Sequence, residues 1–260
     1  MTYAKELFDY LVKASARPNF RVLRRKERKL QAQVQKEFDT QARLVSAAAG
    51  RLLKQKALED DADDAIERAL KGSDSRMIDN ILDGAADAMA FGGNFRVKKS
   101  KLDQIGISFD LSNPLAIEYL QTDRPLVLAK IKETTKELIK PILIESATIG
   151  RSPQETAKLI KDNYAFSKSR SQMIAQNEIG NAYEEGNLIP MKDAEAEGYT
   201  STKAWLTVND DKVEATHLQN QAQGFISLDK NFTGTDDERA PASNQPRCRC
   251  TTLYEINLNQ

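Results

Sequence analysis

A mainly α-helical protein with an elongated helical N-terminal part and a small C-terminal α+β module is what three features of this chain predict. Apolar residues recur at helical spacing through most of residues 2–197, as Leu30, Val34, Phe38 and Val45 illustrate. The composition, 40% hydrophobic, 7% aromatic and 29% charged, fits a helix-rich chain better than a β-sandwich or a membrane span. After Gly198 the pattern changes to short strand candidates at 203–208, 225–228 and 251–256, separated by turn residues.

Residues 2–58 read as helix, with Leu7, Leu11 and Ala14 on one face, and Pro18-Asn19 is expected to divide it into a short and a long segment. Ala65, Ile66, Ala69 and Leu70 predict a further helix ending at Gly72-Ser73. An Ala-rich helix over 77–90 should stop at Phe91-Gly92-Gly93-Asn94, and residues 105–109 allow a short strand. A domain boundary is placed at Asn113-Pro114, giving a region 1–113 and a region 114–260. Beyond it, Leu126, Ile131, Leu138, Ile142 and Ile149 build helix interrupted or kinked at Pro141, because proline removes a backbone donor and crowds the preceding turn.

The sharpest local signal follows. Gly150 suits the left-handed position just past a helix end, and Ser152-Pro153-Gln154-Glu155 offers an N-cap Ser, Pro at N1 and Glu at N3. A helical hairpin is the result. Ala157, Leu159 and Ile160 belong to its short second helix, 167–186 to a longer one with Met173, Ile174, Ile179 and Ala182 inward, and 188–197 to another. Residues 233–246 should form a long surface loop.

The charge balance is even, 38 Lys and Arg against 38 Asp and Glu, but its distribution is not. Residues 1–56 carry 14 bases and 5 acids, whereas 59–87 carry 3 bases and 10 acids. Arg21, Arg24, Arg25, Lys26, Arg28 and Lys29 fall within nine positions and are the candidates for contact with DNA phosphate. With no aromatics interleaved among them, such contact would be sequence-independent; the competing reading is a solvated helix face. No apolar run approaches the roughly 20 residues of a membrane span, and residues 1–20 lack the apolar core of a signal peptide. Synthesis in a cytoplasm and no membrane partner are expected.

The only histidine, His217, and the only cysteines, Cys248 and Cys250, all lie in the C-terminal module. If 251–256 is a strand, a period of two points both thiols to one face. Packed reduced thiols are the preferred reading, with no cofactor. The alternatives are a zinc site with Asp210 or Asp211 as fourth ligand, and a Cys/His nucleophile. Glu178 reads either as an exposed helical carboxylate or as a buried partner of Arg170, eight residues away and so outside i,i+4 reach.

From Gly150 onward the order of features resembles the phage Mu F-like minor head protein family. The resemblance rests on Gly150-Arg151-Ser152, the run from Arg170 to Glu178, Ala182 and Gly186, Trp205, Asp210-Asp211-Lys212-Val213 before His217, Gly224 through Asp229, and Cys248-Arg249-Cys250. It covers about residues 115–256. The chain departs from the family pattern at Gln176 and Asn177, which stand for Arg-Thr, and at Gln245 and Arg247, which stand for the His and Asn of His-Pro-Asn-Cys-Arg-Cys. The resemblance implies a non-enzymatic virion component, built in few copies into the capsid interior near the portal and assisting genome packaging, retention or ejection. Portal protein, major capsid or scaffolding protein, double-stranded DNA and further copies of the chain are the partners it implies.

Overall fold

In the computed structural model the backbone is described for residues 3–55, 60–208, 210–243 and 245–258, and side chains for these residues except 3–18, 20, 55, 60, 61, 123–126 and 128. The helical class holds: the chain is 69% helical, with seven α-helices and one small antiparallel sheet near the C-terminus among the described residues. The helices are α1 (Tyr3–Gln55), α2 (Asp60–Lys99), α3 (Pro114–Glu118), α4 (Arg124–Thr148), α5 (Pro153–Lys161), α6 (Lys168–Ala196) and α7 (Ala215–Ala222). The strands are β1 (Thr200–Leu206), β2 (Ile226–Ser227) and β3 (Thr251–Asn257). No helix among the described residues is long and apolar enough to cross a membrane.

Two compact units divide the chain discontinuously. One comprises Met1–Glu27, Gly84–Ile117 and Gln176–Gln260, the other Arg28–Asp83 and Glu118–Ala175. This partition differs from a single cut at residue 113, since α1, α2 and α6 each supply residues to both units.

In the second unit the predicted apolar face of α1 is realised, with Leu30, Val34, Phe38 and Val45 buried, and α2 presents buried Ile66, Leu70, Met77 and Ile81 at the same periodicity. Gly72-Ser73 does not end a helix. Buried Ser73 donates its hydroxyl to Glu37 Oε2 at 2.8 Å, and Arg76 bonds the same carboxylate, so Ser73 lies where α2 meets α1, while Gly72 faces open space. Pro18 likewise does not break α1; the face predicted at Leu7, Leu11 and Ala14, and Leu126, lie outside the described side chains. Helix α4 continues through Pro141, which is exposed, and is preceded by a π-turn at Tyr119–Asp123.

The α4–α5 hairpin forms as read. Gly150 has φ +68°, and Arg151 N–H reaches back to the Ser146 carbonyl at 2.8 Å, the long bond of a Schellman ending. Ser152 Oγ accepts from Glu155 N–H at 3.2 Å, while Glu155 Oε2 accepts from Ser152 N–H at 3.0 Å, completing a capping box with Pro153 at N1.

In the first unit, Gly92 and Gly93 continue α2 rather than stopping it. A Cβ on Gly92 would collide with the Tyr183 carbonyl, one on Gly93 with the Phe109 ring, and one on Gly186 with the Met89 carbonyl. These glycines are therefore the contact by which α2 and α6 approach backbone to backbone. The strand expected at 105–109 is absent; Leu102–Ile105 forms a 3₁₀ turn, and Ile107 and Phe109 are buried from an irregular segment. Helix α6 runs through Pro190, joining two segments read as separate helices. The sheet has order β2-β1-β3, with β1 central and Trp205 opposite Thr252, Lys203 opposite Tyr254.

A candidate site of one imidazole and two thiols

The central strand β1 is buried on both faces. Ala204 and Leu206 pack with Leu253 and Phe225 on one side; Trp205 on the other forms a core with Phe232, Ala240, Ala242 and Cys250, with Cys248 at its margin. The long loop expected at the surface thus contributes buried Ala240, Pro241 and Ala242, because the indole of Trp205 needs covering on that side.

Helix α7, unread in the sequence, carries His217 to this core. Val213 ends a turn on Asp210, Glu214 takes the N-cap position, and His217, three residues on, points inward at 3% exposure. Its ring centroid lies 5.6 Å from that of Trp205, which in turn meets Phe232 edge to face at 5.2 Å. Buried Asn220, one turn further along α7, accepts from Gly234 N–H at 2.7 Å and donates to Thr235 at 2.8 Å, pinning the loop against the helix.

The cysteines arrive on a turn held from two sides. Arg247, at φ +69°, donates its backbone N–H to Asn177 Oδ1 of α6 at 2.8 Å, and Gln245 donates to Glu214 Oε1 at 2.7 Å. Three of the positions that depart from the family pattern, Asn177, Gln245 and Arg247, are thus hydrogen-bonding partners that aim Cys248 and Cys250. Sequence reasoning noted the departures but had no signal for this use of them, which joins residues 70 apart.

Both thiols face one nitrogen: Cys248 Sγ is 3.7 Å and Cys250 Sγ 3.6 Å from His217 Nδ1. The same-face reading of the two cysteines holds. The hydrogen bond from Cys250 pulls the Cys248 thiol down to about 7, and the same contact together with burial pushes Cys250 well above the ordinary thiol range. The pair gives up its first proton readily and its second with difficulty. Burial also lowers the basicity of His217, with Glu214 and Asp237 opposing, so the ring is neutral near pH 7. An imidazole with a free lone pair and an easily ionised thiol beside it have the chemistry either to pack or to hold a soft metal.

Asp210 is placed elsewhere. It pairs with Arg249 at the surface, and the group of possible metal ligands among the described residues comprises His217, Cys248 and Cys250 alone. Asp211 is exposed.

Residues 137–253 match the family described as Phage Mu protein F like protein. This segment is similar to the phage Mu F-like family. The similarity points to a phage head-related protein. The family segment runs from the middle of α4 into β3, beginning later than the resemblance read from residue 115 and spanning somewhat under half of the chain. No curated protein and no solved structure matches the chain significantly.

Within the Mu F-like segment, Glu178 of α6 is buried, which removes the reading of an exposed carboxylate. Arg170 spends its guanidinium on the Ala165 carbonyl at 2.6 Å, the Ile131 carbonyl at 2.7 Å and Thr135 Oγ1 at 2.9 Å, and stacks over Phe38 at 5.1 Å. It clamps α4, the turn before α6 and α1 within the second unit. Burial lowers its pKa to about 10, leaving it charged at neutral pH. A buried Lys203 on β1 was also unread; its ammonium donates to the Leu228 carbonyl at 2.7 Å, and burial lowers it to about 8.

Of the six bases proposed for DNA, two pair with acids among the described residues. Lys26 pairs with Asp87 at 2.6 Å and lies over the Phe91 ring, and Arg24 pairs with Glu27 at 3.5 Å. Arg21 and Arg25 are exposed on the first unit, Arg28 and Lys29 on the second. Arg28 opens a groove of about 680 Å³ in the second unit whose other bases are Lys36, Arg43 and Lys168, with Asp39 as its only acid. The sequence run from 21 to 29 concealed Lys36 and Arg43, which join Arg28 only through helical repetition along α1.

Proposed function

We propose that the protein is a minor component of the phage head, bound in few copies at the portal on the capsid interior, and that it assists packaging, retention or ejection of the genome without catalysis. The match of residues 137–253 to the Mu F-like family carries this reading. The distribution of exposed bases supports a DNA-facing role. Packaged DNA is an array of phosphates, and Arg28, Lys36, Arg43 and Lys168 line one open groove with little acidic opposition. The contact would neutralise phosphate and read no bases.

Mass spectrometry of purified particles tests the placement: the chain should be present at low, fixed copy number beside portal protein, and its absence from particles would remove the proposal. Portal mixed with the purified chain should co-sediment with it. For the DNA contact, duplex affinity should fall steeply with salt, and replacing Arg28, Lys36, Arg43 and Lys168 by Gln should lower the log–log slope by roughly 0.9 for each phosphate no longer neutralised. An unchanged slope would move the contact off this groove.

A further inference from the structure

The chain has one histidine and two cysteines, and although 31 and 33 residues separate them in sequence, all three meet at one point. We infer that His217 Nδ1, Cys248 Sγ and Cys250 Sγ bind one zinc ion. This goes beyond the head-protein reading and does not depend on it.

The geometry is already that of a coordination sphere. Tetrahedral zinc, with bonds of about 2.0–2.1 Å to nitrogen and about 2.3 Å to sulfur, sets each N···S edge at about 3.6 Å. The two edges here are 3.7 and 3.6 Å, and all three donor atoms lie within 4.8 Å of one another. An ordinary thiol–imidazole hydrogen bond explains one such contact; two sulfurs at one distance from one nitrogen form a face. Structural zinc sites usually place two to four residues between paired cysteines, but here alternate side chains of the segment both reach His217, so a single intervening residue suffices.

Two thiolates and an imidazole select zinc over magnesium or calcium by softness. On binding, two thiol protons leave, and the divalent ion with two thiolates is neutral, which suits a wall made of Trp205, Phe232, Ala240 and Ala242. The fourth position falls to a solvent oxygen on the side of Cys248, the part-exposed member of the trio. The ion would tie α7 to the entrance of β3 and fix a loop whose regular structure amounts to the bridge between Phe232 and Asp237.

Elemental analysis of the reduced full-length chain, followed by cobalt(II) titration after the metal is stripped, tests the assignment. About one zinc per chain is expected, and cobalt should give intense tetrahedral ligand-field bands with a thiolate charge-transfer band. Cys248→Ser should weaken metal affinity at least about tenfold and diminish the charge-transfer band, whereas Asp210→Asn should leave both unchanged. A reduced wild-type chain that takes up neither zinc nor cobalt stoichiometrically overturns the inference, as does an octahedral cobalt spectrum lacking the sulfur band. The wild-type titration decides even if a cysteine variant fails to fold.

Discussion

Replacing Glu184 by Gln probes the polar layer between α6 and β3. Glu184 is 3% exposed; its Oε1 takes the Thr251 hydroxyl and its Oε2 the Thr252 N–H at 3.3 Å. Burial pushes the carboxyl up to about 7 from the ordinary 4.5, although these hydrogen bonds and the nearby Arg239 and Arg96 act the other way. The folded state therefore holds the proton more tightly than the unfolded state. This contribution to stability is fully present below about pH 4.5 and is lost as pH rises through about 7. A difference of about 2.5 pH units corresponds to about 3 kcal/mol, of which roughly 2 to 3 kcal/mol is lost between pH 5 and pH 8. Gln cannot ionise, so the stability of Glu184→Gln relative to wild type should rise by that amount over the interval. Urea unfolding followed by the fluorescence of Trp205, the only tryptophan and fully buried, measures it under reducing conditions. The comparison cancels the titration of Cys248 and His217, common to both proteins. A stability difference that stays flat from pH 5 to pH 8 would refute the reasoning and mean that the carboxylate is ionised in the fold.

Helix α6 supplies its own control for the glycine contact. Gly186→Ala, whose methyl meets the Met89 carbonyl, should cost about 1–3 kcal/mol, whereas Gly180→Ala, with the Pro241 ring 4.0 Å away, should be neutral or stabilising by up to about 1 kcal/mol in the same urea assay. Equal effects would mean that α2 and α6 do not touch at Gly186. Ser152→Ala should cost about 1 kcal/mol by loss of the α5 cap, and an unaltered midpoint would count against the capping box. Arg170→Met should destabilise the second unit by about 1–3 kcal/mol, chiefly through the buried Ala165 carbonyl losing its donor, since the Thr135 hydroxyl still donates to the Ile131 carbonyl at 2.9 Å; a smaller loss would show that water replaces the guanidinium.

What the sequence by itself determined is what short-range physics governs. The apolar face of α1 from Leu30 to Val45, the Gly150 turn with its Ser152 to Glu155 cap, and the pairing of Cys248 with Cys250 on one side all follow from periodicity or from bonds within a few residues. Punctuation read from proline and glycine failed wherever a distant partner intervened. Ser73 became a contact with Glu37 of α1, and Gly92 and Gly186 the close approach of α2 to α6, since tertiary contact offset their weak helix propensity. Helix α7 was missed because Ala215–Ala222 is short and polar; it is ordered by Asn220 holding the 234–235 loop and His217 entering the Trp205 core. The burial of Glu178 and Lys203, the anchoring of Arg247 by Asn177, and the meeting of His217 with both cysteines join residues tens of positions apart. Local propensity carries no term for such contacts; they exist only once the chain has closed around them.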